Sequence, residues 1–360
     1  MSQSKGIRNE IILHVGLHKT GTTSIQETLY LENNNQLLEK KGYLYPKCGP
    51  SNHSVSIYSI FCNDPTNYHI NIRMGYSADE IKYVNEKYLS DLKTEIDDKK
   101  LSKLIISGED ISLLSLDNLN ALKEHLTSIF SNNIKVIIYV RHPVQWVIST
   151  IQQFIKSGRQ NYKDALIDME KNIKSLFVDR IEKFTHVFGR EFVNVYSFEE
   201  AVLNKFGPVG HFLSVIGMNQ NELTEFNIVY ANESISLIAV EIISYINEKL
   251  PLFRDGKMNE LRSNGDINPF LNVKGFKFDI PYGLKEKILE KSREDIEWLK
   301  KNWGIDYSTV QIRQIDNFSP DLSEEIIEEI KQACFEVPES LRSLVVEYLQ
   351  MKLMKNSVGN

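Results

Sequence analysis

The sequence predicts an α/β fold: a three-layer α/β/α arrangement around a central, mostly parallel sheet of about five strands, with a helical C-terminal part. Two observations predict it. Short apolar runs rich in β-branched residues, such as Ile11-Ile12-Leu13-His14-Val15, Leu104-Ile105-Ile106 and Ile134–Val140, are apolar at successive positions and therefore read as strands buried on both faces. Each is followed by a stretch of helical periodicity instead of a hairpin turn, and crossovers of that kind join parallel strands. In such sheets ligands sit at the carboxyl ends of the strands, and every candidate functional residue but those of one later loop falls just after a strand or on the segment that follows.

The first strand, Ile11 to Val15, runs into Gly16-Leu17-His18-Lys19-Thr20-Gly21-Thr22-Thr23 and then into an apolar-periodic helix from Ser24 to Leu31. Strand, glycine loop and helix together aim backbone N–H groups and the positive helix end at a phosphate. The loop is P-loop-like, because Gly16 and Gly21 have the separation of G-x-x-x-x-G-K-[ST], but Thr22 stands where the lysine belongs. Lys19 lies inside the loop instead, which suits a donor with one phosphate carrying one transferable group.

Gly42 to Pro46 reads as a short second strand closed by proline. From Lys47 to about Asp79 the chain is polar and irregular, rich in Asn, Tyr and His, and is expected to be a substrate loop containing His53. Ala78 to Lys99 is amphipathic and helical. Leu104 to Ser107 is the third strand and ends in Gly108-Glu109-Asp110. A helix is expected from Ile111 to Phe130, then the strand Ile134 to Val140, ended by Arg141-His142-Pro143, with Pro143 opening the next helix. A helix from Ala165 to Phe188 leads to a strand at Phe192 to Phe198. Beyond Gly207 the expectation is mainly helical, with 219–232 irregular, a helix at 233–250, a polar stretch at 251–282, and helices at Leu284–Asn302 and Leu322–Met354. The last helices read as a cap or as a homo-oligomer contact.

At 360 residues the chain can form one large α/β domain or two modest ones. A hydrophobic share of 42% and a charged share of 25% are those of a soluble globule, and a net charge of −6 argues against a coat for nucleic acid or anionic membrane. Cys48, Cys62 and Cys334, odd in number and without metal-ligand spacing, read as free thiols of a reducing compartment. The polar first ten residues lack the apolar core of a signal peptide, and no window approaches the ~20 apolar residues of a membrane helix. A cytoplasmic protein is expected.

Lys19-Thr20-Gly21-Thr22-Thr23 resembles the 5′-phosphosulfate loop, K-[ST]-G-[ST]-[ST], of the sulfotransferases that use 3′-phosphoadenosine 5′-phosphosulfate (PAPS). The strand ending in Arg141, with Ser149 on the following helix, is similar to the 3′-phosphate element of that family. Val273-Lys274-Gly275-Phe276 resembles its Lys/Arg-Gly loop over the nucleotide. The resemblance implies residues 8–310 as a sulfotransferase domain, with 311–360 a helical extension packed on it. It implies PAPS as donor, 3′-phosphoadenosine 5′-phosphate (PAP) as product, and no metal. His18, Lys19, Thr20, Gly21, Thr22, Thr23, Arg141, Ser149, Lys274 and Gly275 would bind the nucleotide, with Lys19 stabilising the leaving phosphate. Family members use His or Glu as general base, which makes His53 the first candidate and Glu109 the second. The acceptor would be a hydroxyl of a glycan, polysaccharide or lipid-linked sugar. A non-catalytic nucleotide binder of the same fold, or a degenerate P-loop kinase, are the alternatives.

Overall fold

The structure is a computed structural model and describes residues 9–172, 176–231, 234–254, 257–310, 312–314 and 322–358. The chain forms two compact units, each assembled from separate stretches. One takes the residues up to His142, those between 175 and 232, and Asp295–Tyr307; the other takes the remainder.

The first unit holds the sheet. Its described elements up to the fourth strand are β1 Glu10–Gly16, α1 Thr22–Tyr30, α2 Glu32–Lys40, β2 Tyr43–Leu44, α3 Ser54–Phe61, α4 His69–Met74, α5 Ala78–Lys99, β3 Lys103–Ser107, α6 Leu116–Ile129 and β4 Ile134–Val140. The fifth strand is β5, Val193–Ser197. All five are parallel, in the order β2-β3-β1-β4-β5. The chain fills one side of β1 before crossing to the other, so the direction of winding changes around β1, where the loops after β1, β3 and β4 converge. On one face Ile12, Ile105, Ile137 and Tyr139 pack against Ile25 and Leu29 of α1 and against Phe212 and Leu213 of helix Gly207–Val215. The alternate residues Leu13, Ile106, Val136 and Ile138 are equally buried and point the opposite way. Both faces are therefore covered, as the unbroken apolar runs require.

The region expected to be an irregular loop from Lys47 to Asp79 is mostly helical: α3, a short 3-10 turn at Pro65–Asn67, and α4. Its asparagines are structural. Asn71 donates to the Ser59 hydroxyl and to the Pro65 carbonyl, and Asn52 accepts from the Ser54 N–H. A capping box of Ser77 and Glu80 opens α5 where the amphipathic pattern placed it. The helix expected from Ile111 splits into a 3-10 turn, Asp110–Leu113, and α6, which starts at the Ser115 cap. The stretch read as one helix from Ala165 to Phe188 contains two, Tyr162–Asn172 and Val178–Phe188.

The second unit is helical. Helices Pro143–Lys156, Tyr162–Asn172, Leu237–Lys249, Tyr282–Lys291, Glu324–Phe335 and Glu339–Val358 share a core that includes Val147, Ile151, Ile242, Ile243, Ile246, Phe270 and Ile330. The helix expected from Leu322 to Met354 is broken at Val337-Pro338, since proline cannot donate within a helix. The expected helix Leu284–Asn302 is likewise two, Tyr282–Lys291 and Arg293–Trp303. Within 251–282 a small antiparallel pair, Phe253–Arg254 with Lys257–Met258, was not anticipated.

Two buried histidines make the first unit acid-sensitive. His14, in the middle of β1, and His53 are both fully buried, and burial lowers their pKa from 6.5 to about 3 and about 4. As pH falls below 6.5 the unfolded chain takes up protons that the folded rings refuse. Stability should drop by roughly 1.4 kcal/mol per pH unit for each ring until its folded pKa is reached. Denaturant midpoints measured from pH 7 to pH 4 should show this slope, and His14→Gln should flatten it by one proton.

Candidate active site

The loop after β1 is held in a conformation that most side chains avoid. Lys19 has φ 72 and Gly21 φ 75, both left-handed, and among the described residues Lys100 is the other non-glycine with positive φ. The Thr20 hydroxyl donates to the Leu17 carbonyl at 2.6 Å and closes the turn. A Cβ on Gly21 would lie 2.9 Å from the Phe198 ring and 3.0 Å from Pro208. Gly21→Ala should therefore cost more than the ~1–2 kcal/mol of a left-handed alanine, read as a lowered denaturation midpoint.

Gly21 is also the N-cap of α1, and no side chain caps that end. The first-turn N–H groups are thus left for an anion, and no acidic residue occupies the turn to repel one. Thr22 Oγ1 is buried without a hydrogen-bond partner, and Gly16 leaves it room: a Cβ there would sit 2.1 Å from that oxygen. An orphaned hydroxyl inside a glycine-walled cradle beside a bare helix end fits a phosphate group. Thr23 is half-buried on the first turn.

The end of β3 brings titratable groups together beside this loop. His18 Nε2 donates to Asp110 Oδ1 at 2.9 Å, and the Tyr68 hydroxyl donates to Asp110 Oδ2 at 2.7 Å. Burial alone would raise the Asp110 carboxyl, but the hydrogen bonds from His18 and Tyr68 and the nearby His69 outweigh it and hold it low. Glu109 behaves oppositely. Burial raises its carboxyl and Asp110 adds to this, while His18 and Lys19 pull it down without reversing the sign. Its side chain caps nothing in the turn it precedes. His18, Glu109 and Asp110 each offer a ligand atom within 4.8 Å of the others, so they form the one such group among the described residues that could hold a cation.

His53 plays another part. It is the N-cap residue of α3, fully buried, with its ring 4.5 Å from that of Tyr45. Nδ1 accepts from the Ser107 N–H at 3.1 Å and Nε2 donates to the Pro46 carbonyl at 3.2 Å. Its own N–H donates to the Ser107 carbonyl at 3.0 Å. An imidazole in this tautomer has no lone pair left to take a proton, which counts against the expectation of His53 as base. The ring instead pins α3 to the end of β3, where Ser54 Oγ accepts from the Asp110 N–H at 2.8 Å. Gly108 permits this approach, since a Cβ there would lie 2.6 Å from Ser54 Oγ.

Arg141, at the end of β4, donates from Nη1 to the Lys19 carbonyl at 2.8 Å and lies 5.0 Å from the centre of the Phe198 ring. Behind it Glu199 accepts from the His142 N–H at 3.0 Å and from the Tyr307 hydroxyl at 2.9 Å. Tyr68, Asp110, Phe198, Glu199 and Tyr307 were not singled out in the sequence. Asp110 had a signal there, adjacent to Glu109 and just past a strand; the others are brought in by the fold from distant positions.

The other nucleotide candidates belong to the second unit. Ser149 is half-buried on helix Pro143–Lys156. Lys274 is exposed and gives both its backbone N–H and its ammonium to Glu329, at 2.8 and 3.0 Å. Gly275 has φ 136, a conformation open to glycine.

No protein-family model matches the sequence, and no curated protein matches it. Among solved structures the chain is similar to a sulfotransferase from Alicyclobacillus acidocaldarius, at 15% identity and TM-score 0.44, over 84% of this chain and 97% of that one. It is similar to retinol dehydratase, solved with androsterone and the inactive cofactor PAP, at 13% identity and TM-score 0.36, over 84% and 83%. The sulfotransferase domain from the curacin biosynthetic pathway follows at 13% identity and TM-score 0.32, over 92% and 99%.

Proposed function

We propose that this protein is a PAPS-dependent sulfotransferase acting on a carbohydrate hydroxyl. The observation that carries the reading is the loop after β1. There the family-like pentad Lys19–Thr23 forms a strained, glycine-walled cradle with an orphaned Thr22 hydroxyl and a bare helix end, beside the half-buried Glu109 carboxyl, whose proton affinity is raised. When bound, PAPS supplies the sulfuryl group, and its 5′-phosphate is the leaving group. Thr20, Thr22, Thr23 and the amides of the loop and first turn hold that phosphate. Lys19 offsets the negative charge that grows on the leaving oxygen as the S–O bond lengthens. Glu109 accepts the proton of the acceptor hydroxyl as its oxygen bonds to sulfur. The His18–Asp110–Tyr68 chain fixes the loop beside it. The donors of Arg141 not given to Lys19 are assigned to the second phosphate of the nucleotide.

The carbohydrate assignment draws on the helical segment after β2, where the half-buried Tyr58 packs on the buried Tyr68 with ring centres 4.7 Å apart and offers an aromatic face of the kind that holds sugars. A cytoplasmic setting accords with three cysteines that are all free.

The test has two readouts. PAP should raise the melting temperature while ATP with Mg²⁺ should not, and labelled sulfate should pass from PAPS to members of a glycan panel. Stabilisation by Mg²⁺–ATP but not by PAP would replace this reading with a kinase. PAP binding without transfer to any acceptor would leave a nucleotide-binding protein.

A further inference from the structure

Lys19 carries a backbone conformation that costs a lysine about 1–3 kcal/mol, and something must hold it there. Besides the Thr20 hydroxyl within the turn, two side chains from elsewhere in the chain do, one at each end of it. The Arg141 guanidinium donates to the Lys19 carbonyl at 2.8 Å, and the Phe198 ring closes on Gly21 so tightly that no Cβ fits between them. Arg141 in turn lies over Phe198, 5.0 Å from the ring centre. The next residue, Glu199, is itself locked by the His142 N–H and the Tyr307 hydroxyl, and its charge favours the arginine cation against the burial that disfavours it. The Tyr307 hydroxyl, whose single proton goes to Glu199, also lies 3.0 Å from the Val140 carbonyl, so it sits between the ends of β4 and β5 immediately behind the clamp.

We propose that Arg141 is a positioning residue for the Lys19 loop, holding the left-handed turn through its main-chain carbonyl whether or not the donor carries a 3′-phosphate. The proposal deepens the reading above, and its nucleotide measurements rest on that reading; its exchange measurement does not. An arginine acting solely on a second phosphate would matter only to ligands that possess one. An arginine that shapes the loop matters also to ligands whose only phosphate is the 5′-phosphate that sits there. It also matters to the loop of the free protein.

The experiment uses the full chain as wild type, Arg141→Ala and Arg141→Lys. Without nucleotide, hydrogen exchange of peptides spanning residues 17–21 should be about tenfold faster in Arg141→Ala, the effect of losing one charge-assisted hydrogen bond, while peptides from β1 and β4 keep their protection. Arg141→Lys, which keeps the charge but not the planar fork, should lie between the two and serves should the alanine variant fail to fold. In a Lys19→Gly background, where glycine takes positive φ without strain, Arg141→Ala should change the exchange of the loop by less than about threefold. By calorimetry, Arg141→Ala should weaken adenosine 5′-phosphate about tenfold, through the loop alone, and PAP by more, since PAP also loses the contact to its second phosphate. Unchanged loop exchange in both variants, or a loss confined to PAP with adenosine 5′-phosphate unaffected, would overturn the proposal. Should neither nucleotide bind the wild type, the sulfotransferase reading fails while loop exchange still decides the role of Arg141.

Discussion

Lys19→Ala is expected to lower sulfuryl transfer by about 10²–10³-fold, the usual loss when a preorganised group facing developing charge is removed. The substitution leaves the loop standing. The bond from Arg141 reaches the Lys19 carbonyl, not its side chain, and the Thr20 hydroxyl still closes the turn on Leu17. The melting temperature and the affinity for PAP should therefore change little, whereas single-turnover conversion of PAPS to PAP should collapse. That split separates a leaving-group role from a binding role: a lysine that merely attracted the nucleotide would lose affinity and rate together. Lys19→Arg keeps a positive charge but replaces a compact ammonium by a broad planar fork, and should recover only part of the rate. Turnover of Lys19→Ala within tenfold of the wild type would show that another group carries the charge.

What could be read from the sequence follows from how each signal is encoded. β1, its loop and α1 were legible because an unbroken β-branched run, two glycines at fixed separation and a helical period are all local. The sheet follows from the same runs at residues 104–106 and 134–140. Arg141 could be placed at a strand end for this reason, though its bond to the Lys19 carbonyl could not, since it joins residues 122 apart. The stretch from Lys47 to Asp79 misled because its polar residues looked solvated. Asn52, His53, Ser54, Asn71 and Tyr68 are hydrogen-bonded to backbone or to Asp110, and buried polar groups with satisfied partners have the composition of a loop. His53 is the sharpest case. An imidazole flanked by Asn and Ser reads as chemistry until both ring nitrogens are seen to serve the chain itself. The break at Pro338, by contrast, was written in the sequence and outweighed by the helical period on either side.

Glu109→Gln should show the trade between chemistry and stability at this site. Glutamine keeps the shape of the side chain but cannot accept a proton, so transfer should fall by about 10²–10⁴-fold. The pH profile distinguishes this from a packing defect. A general base works when ionised, so the wild-type rate should climb as pH rises through the raised pKa of Glu109, and that limb should vanish in the variant. Stability should move the other way. With its folded pKa above the ordinary 4.5, Glu109 holds its proton in the native state over a window where the unfolded chain has released it. Wild-type stability from this group is thus complete at low pH and is lost as pH rises through the window. Glutamine does not titrate. Glu109→Gln should accordingly melt at a higher temperature than the wild type at neutral pH, with the gain fading below about pH 4.5. A variant that is both slower and less stable at neutral pH would mean that the carboxylate is held by compensating bonds and is no poised base. A variant that keeps the wild-type rate and the ascending limb would pass the role to His18, whose Nε2 is fixed on Asp110 while Nδ1 is left to face a proton.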